Sequence, residues 1–306
     1  MISPAIRKRL LMFPITVFFV CTVVFFVIHL VPGDPAALML GESAEPGDIE
    51  ALRSQLGLDR PLGAQYTSYL VGLLRLDLGR SIWTKEPVLD RILDRYPATM
   101  ELALFAMVFA VVFAIPIGIL SAMKPNSLID RLAMFLSVLG VSIPNFFLGL
   151  VLIVVFSVEL DLLPVSGRGG IEHIILPAVT LGLGMSAILA RMTRSQMIEA
   201  LASDYVRTAR AKGLSEFTVI TKHALRNALT PVVTILGLQM GALLTGAIIT
   251  ETIFSYEGIG SLMIQSIARR DYPQVQACVL VIAISYVLAN LFADLTYRAL
   301  DPRIRL

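Results

Sequence analysis

The stretch 101–123, ELALFAMVFAVVFAIPIGILSAM, carries no charged side chain between Glu101 and Lys124. As a helix rising 1.5 Å per residue, its uncharged part reaches about 33 Å, enough to cross a hydrocarbon core of about 30 Å. A surface helix of a soluble domain would show a polar stripe, and none interrupts this segment. It predicts a membrane span, so the rest of the chain is read with lipid as its solvent.

Five further segments behave alike: about 10–30, 132–158, 174–192, 229–250 and 276–297. Backbone groups in a bilayer must be paired within the segment, so all six are expected to be helices. Composition agrees. The chain is 56% hydrophobic and 16% charged over 306 residues, where soluble domains carry about a quarter charged. Pro177 is expected in the first turn of the fourth span, and Thr230-Pro231 reads as cap and first position of the fifth. Pro144, flanked by Ser142 and Asn145, predicts a kink in the third. The first span follows Arg7, Lys8 and Arg9 as a signal peptide would. Its apolar stretch is longer than an h-region and no A-x-A site follows, so it reads as a retained anchor.

Lys and Arg in the short loops set the orientation. They cluster at the N-terminus, at Lys124 and Arg131, and at Arg191, Arg194, Arg207, Arg210, Lys212, Lys222 and Arg226, and again at Arg298, Arg303 and Arg305. The opposite loops offer only Arg168, and Arg269 with Arg270. Both termini and the fourth loop are therefore expected in the cytoplasm. The long first loop, about 31–98, is expected outside. Short amphipathic helices are predicted there, one from Pro46 stopped by Gly57 and one over about 62–76, suited to the membrane surface or to an external partner.

Several chemistries find no support in the sequence. A net charge of +2 without a basic run gives no argument for nucleic acid. His29, His173 and His223 are scattered, and Cys21 and Cys278 lie in apolar stretches where they read as small packing residues. No phosphate-cradling G-x-x-x-x-G-K-[ST] and no nucleophile or metalloprotease motif occurs, which disfavours a membrane enzyme. A stand-alone secondary transporter would need an ionisable site at the bilayer midplane. The candidates His29, Glu251 and Asp294 all fall near span ends, and Asp294 has an i,i+4 partner in Arg298. A scaffold without transport is the third rival. The polar candidates for a translocation path are Ser142, Asn145, Gln239 and Thr245, although such groups also serve interhelical bonding. Gly237 and Gly241 form a G-x-x-x-G, read as helix packing.

Between the fourth and fifth spans lies EALASDYVRTARAK, 199–212, with no Pro or Gly. As one helix it places Glu199, Asp204, Arg207 and Arg210 on one arc and Leu201, Ala202, Tyr205, Val206 and Ala209 on the other. Gly213 is suited to ending it, and Ser215 to capping a second helix from Glu216. Joined to two spans, such a hairpin is either a solvated surface feature or a mechanical coupling element.

Glu199-Ala200 followed by Gly213 resembles the EAA loop of inner-membrane subunits of ABC importers. DYVRTARAKG at 204–213 and HALRNALTPVVT at 223–234 resemble the dipeptide/oligopeptide/nickel branch, specifically its B-type permease. LVPGDPA at 30–36, LGLDRPL at 56–62, RDYP at 270–273 and LDPRIR at 300–305 agree with it. Leu201 replaces a frequent Ala, and Glu257 in FSYEGIG stands where the branch usually has Pro. The resemblance implies an all-α membrane protein of the type I permease fold, six helices with both termini inside. Its parts would be residues 1–31 as N-terminus and first span, 32–98 as extracytoplasmic loop, and 99–306 as a five-helix core containing the coupling loop 193–228. It implies a multi-pass inner-membrane importer subunit, non-catalytic itself, with ATP and Mg bound on partners. Those partners would be a homologous C-type permease, two ATP-binding subunits and an extracytoplasmic binding protein. ATPase docking would fall to Glu199, Ala200, Asp204, Tyr205, Arg207, Arg210, Lys212 and Gly213. Dipeptides or oligopeptides are the leading cargo, with glutathione, nickel chelates and opine-like molecules left open.

Overall fold

The computed structural model describes residues 4–30, 33–41 and 44–300, the side chains of 4–10 and 294–300 excepted. The charges of the N-terminal cluster, the Asp294–Arg298 pair and most of LDPRIR therefore lie outside the described residues. Thirteen α-helices follow one another among the described residues: α1 (Pro4–Leu30), α2 (Pro35–Leu40), α3 (Pro46–Gln55), α4 (Leu62–Leu74), α5 (Val88–Met123), α6 (Leu128–Ser142), α7 (Asn145–Leu152), α8 (Glu172–Ala202), α9 (Asp204–Ala211), α10 (Glu216–Thr218), α11 (Leu225–Ile253), α12 (Ile259–Ala268) and α13 (Tyr272–Leu300). Two π-helical turns, Ile153–Glu159 and Val219–Ala224, extend α7 and join α10 to α11.

Five helices are long and apolar enough to cross a membrane, and a sixth crossing results if α6 and α7 count as one. The expected kink at Pro144 is a full break. The pair bends by 105° there, because Ile143 and Pro144 both adopt extended backbone and Pro144 has no N–H to continue the ladder. Large apolar side chains such as Phe18, Phe19, Val112 and Phe135 are exposed on these helices, a surface that hydrocarbon solvates and water does not.

The chain forms two compact units. The first comprises 1–7, 100–256 and 285–306. Its central helix is α8, with 67% of its most apolar window buried against at most 33% for the other spans, and it packs on α6, α7 and α11. Here two expectations are corrected. Pro177 lies inside α8 rather than in its first turn, because the helix already starts at Glu172. Pro231 likewise lies inside α11, not at its start, because the hydrogen-bonded ladder runs in from the π turn and Leu225. Gly237 and Gly241 do serve packing. A Cβ there would fall 2.3 Å from Ala293 Cβ and 2.2 Å from the Tyr286 ring of α13.

The second unit comprises 8–99 and 257–284. The helices predicted at Pro46 and over about 62–76 are α3 and α4. Gly57, at φ +67, ends the first as expected. The sequence reading missed α2, α12 and the extension of α5 back to Val88. Val88 and Ile92 pack with Ile259, Leu262 and Cys278 in a buried cluster, so α5 and α12 carry apolar residues at helical spacing in a segment read as loop. Cys21 and Cys278 are free and buried. Two of the resembling motifs meet here. Asp34 caps α2 through the Ala36 N–H at 2.9 Å and holds Arg53, while a Cβ on Gly33 would collide with the Arg270 guanidinium at 2.2 Å. Buried Asp271 accepts from the Ile82 N–H at 3.0 Å and from the Ser81 hydroxyl. Glu257 pairs with Arg95 at 2.9 Å.

Candidate functional site

The segment 199–212 is two helices rather than one. α8 ends at Ala202, Ser203 takes extended backbone (φ −74, ψ 154), and α9 starts at Asp204. Ser203 breaks the run because its hydroxyl turns back to the Ala200 carbonyl, the local competition that makes serine favour helix ends. The predicted single arc is therefore corrected. Glu199 and Ala200 belong to α8, and Asp204, Tyr205, Arg207 and Arg210 to α9.

What holds α9 in place is apolar. Val206 and Ala209 are buried with Ala122 of α5, Met197 and Ala200 of α8, and Val219, Ile220, Ala224 and Ala228 beyond the turn. A rigid foot is thus formed where three long helices end. Of the residues on the apolar arc, Val206 and Ala209 are buried, while Ala202 and Tyr205 are exposed.

The charged face is open. Asp204 and Arg207 are 96% and 76% exposed and lie 3.4 Å apart. Arg210 reaches across the turn to Glu216, with Nε to Oε1 at 2.7 Å and Nη2 to Oε2 at 3.3 Å. Lys212 is exposed, and Gly213 has φ +75 with open space where a Cβ would stand. Ser215 caps the next helix as expected, accepting from the Thr218 N–H at 3.4 Å. Phe217 and Leu214 were not singled out from the sequence. They are 77% and 40% exposed at the hairpin tip, and their lack of amphipathic partners was the available signal.

Just upstream, Arg194 of α8 grips Asp130 in the first turn of α6. Nε meets Oδ1 at 2.5 Å and Nη2 meets Oδ2 at 2.7 Å, and the Asn126 N–H adds a third bond at 2.7 Å. Asp130 is 2% exposed. The orientation count treated Arg194 as one positive charge among many, and Asp130 escaped notice because its partner is distant in sequence.

A cavity of about 210 Å³ lies among α6, α7, α8 and α11. It brings together Asn145 and Gln239, with Gly184, Met185, Ile188 and Leu243 in its wall. Ser142 and Thr245 are not part of that lining. Their hydroxyls donate to the carbonyls of Val138 and Gly241 at 2.8 and 3.4 Å, the back-bonding usual for hydroxyls in apolar helices. At the opposite end of the same unit, Glu101 Oε2 accepts from Arg168 at 3.0 Å and from the Tyr256 hydroxyl at 3.1 Å. Burial and then the Glu101 charge push the Tyr256 phenol up to about 12. The Gly167 N–H donates to the Phe254 carbonyl at 2.9 Å, tying the 160–171 loop to the end of α11.

Residues 114–306 match the family described as binding-protein-dependent transport system inner membrane component, and residues 1–103 match the description of that component's N-terminal part. Over 298 residues, 97% of each chain, the sequence is 46% identical to the glutathione transport system permease protein GsiC of Escherichia coli strain K12. It is 45% identical, at the same coverage, to the protein of that name in Shigella boydii serotype 4. The structure resembles a crystal structure of an amino acid ABC transporter with histidines, at TM-score 0.52 and 18% identity, covering 70% of this chain and 94% of that one. At that identity the likeness is one of fold.

Proposed function

This chain belongs to the family of binding-protein-dependent transport system inner membrane components, and from that membership we propose how it moves its cargo. It is a multi-pass inner-membrane permease subunit of an ABC importer. In our reading the chain crosses six times, with α6 and α7 as one broken span and both termini in the cytoplasm. Residues 32–98 form the extracytoplasmic loop and 99–306 the permease core, with 193–228 as its coupling loop. A homologous C-type permease completes the path. Two ATP-binding subunits supply the ATP and Mg chemistry, this chain being non-catalytic, and an extracytoplasmic binding protein delivers the solute. Short peptides are the cargo, glutathione among them, a choice supported by relatives named for glutathione transport.

The observation that carries the mechanism is the apolar foot under α9. Val206 and Ala209 fix the hairpin to the ends of α5, α8 and α11, so a force on the hairpin moves those helices rather than bending a loop. An ATPase groove would grip Tyr205, Leu214 and Phe217, with Asp204, Arg207, Arg210 and Lys212 around them and Glu199, Ala200 and Gly213 shaping the fold. Closure of the ATPases on ATP then favours one arrangement of the spans, because the grip differs in strength between the two states. Asn145 and Gln239 offer amide donors and acceptors that suit the peptide groups of a passing solute.

The reconstituted four-subunit complex with its binding protein tests this. Gly213→Pro or Arg207→Glu should abolish glutathione and dipeptide uptake while the chain still inserts. Solute-stimulated ATP hydrolysis that stays at the wild-type level in both variants would refute the hairpin's role.

A further inference from the structure

The second unit holds a larger concavity, of about 530 Å³. Its wall comes from the end of α1, the 54–60 loop, α4, the 77–85 loop and the start of α13. Three cations line it, Arg60, Arg80 and Lys85, against one acid, Asp77. That acid is engaged locally, its Oδ1 accepting from the Gly79 N–H at 2.9 Å.

The cations differ from several of their neighbours. In the same unit Arg53 holds Asp34 and Glu50, Arg91 holds Glu86, and Arg95 holds Glu257. Among the described residues, Arg60, Arg80 and Lys85 have no carboxylate partner. A single exposed cation is ordinarily solvated and marks nothing. Three lining one concavity concentrate positive potential in the space between them, Arg80 being held there by an Nη1 bond to the Lys85 carbonyl at 3.2 Å.

Neutral groups complete the lining. Ser68 and Gln276 add donors and acceptors, while Gln65 braces the wall, its Oε1 meeting His29 Nε2 at 3.2 Å and its Nε2 donating to the Arg60 carbonyl at 2.9 Å. Phe25 and Tyr272 supply aromatic wall. The volume falls in the range of sites for small organic ligands, about 300–1,000 Å³.

We propose that this concavity binds a small carboxylate-bearing solute. Arg60, Arg80 and Lys85 take the carboxylate, with the charge-assisted geometry that guanidinium groups favour. Ser68 and Gln276 take the polar body. In the topology proposed above the site faces outward and would hold solute before entry, but the binding depends neither on that topology nor on the hairpin.

The test uses the full chain with its partner permease in phosphatidylcholine nanodiscs, without ATPase or binding protein, and trialanine as probe. Calorimetric titration is expected to show saturable binding. Replacing the probe's carboxylate by an amide should weaken it about tenfold or more, as should Arg80→Gln with Lys85→Gln, since each removes charged hydrogen bonds. Both positions are exposed, and an unchanged melting temperature verifies the fold of the variant. No binding of trialanine, equal binding of acid and amide, or binding unchanged in the double variant overturns the proposal. A parallel arm uses phosphatidylglycerol discs and native mass spectrometry. Lipid retained through Arg80 and Lys85, with no trialanine bound in phosphatidylcholine, assigns the concavity to a headgroup and also overturns it. Because the Arg207→Glu variant keeps this unit intact, its trialanine affinity separates failure of the site from failure of the hairpin.

Discussion

Asp130 and Arg194, 64 residues apart in sequence, share a two-pronged ion pair whose carboxylate is 2% exposed. The pair ties the start of α6 to α8 five residues before Glu199. A charged clamp thus adds to the apolar packing that holds the start of α6 against α8 near the hairpin. Removing the Asp130 carboxylate leaves the partly exposed Arg194 guanidinium without its counter-charge, which destabilises the fold. Asp130→Asn should thus lower the melting temperature of the purified complex, and the swap Asp130→Arg with Arg194→Asp should recover part of the loss. A single variant that melts like wild type would show the clamp to be idle.

Gly213 makes a second prediction. With φ +75 and nothing within 4 Å of where a Cβ would stand, substitution there meets backbone strain and no collision. The left-handed conformation costs other L-residues about 1–2 kcal/mol, with Asn the mildest and β-branched residues the worst. Solute-stimulated ATPase activity should fall in the order Gly213→Asn, Gly213→Ala, Gly213→Val. Equal activity in the Asn and Val variants would contradict the assignment.

At Gly241 the obstacle is space. A Cβ would stand 2.2 Å from the Tyr286 ring, and overpacking of this kind costs about 1–3 kcal/mol. Gly241→Ala should lower thermal stability, and adding Tyr286→Ala should restore part of it. Strictly additive losses in the double variant would show that the two do not touch.

The Glu101 network supplies a fourth. Glu101→Gln removes the charge that both Arg168 and the Tyr256 hydroxyl engage. Amide exchange at Gly167, whose N–H bonds to Phe254, should speed up several-fold as the loop loosens, while exchange in α9 stays unchanged. Protection at Gly167 equal to wild type would rule out the tether.

The spans were legible because lipid imposes one rule, an uncharged run of sufficient length, and 101–123 obeys it without ambiguity. Gly57, Ser215 and the break at Pro144 were legible for a local reason, since each acts within one turn of itself. Some local signals misled: Ser203 divides α8 from α9 through its own bond back to the Ala200 carbonyl, and Pro177 and Pro231 lie inside helices. The remaining missed features are nonlocal. Val88 and Ile92 looked like loop residues until Ile259 and Cys278 stood beside them. Asp130 and Arg194, and equally Arg60, Arg80 and Lys85, acquire meaning only from what the fold brings near. Ser142 and Asn145 illustrate the limit well. They are three residues apart with similar polarity, yet one bonds its own helix and the other lines the cavity.

The open space around Gly213 has a stereochemical consequence. What the turn demands of this position is a handedness, not a shape. A D-alanine placed there by chemical synthesis would leave the backbone at ease, whereas its mirror image, L-alanine, would strain the same turn. The hairpin tip therefore rests on a left-handed backbone conformation that the achiral α-carbon of Gly213 adopts freely, a constraint that side-chain contacts alone would not reveal.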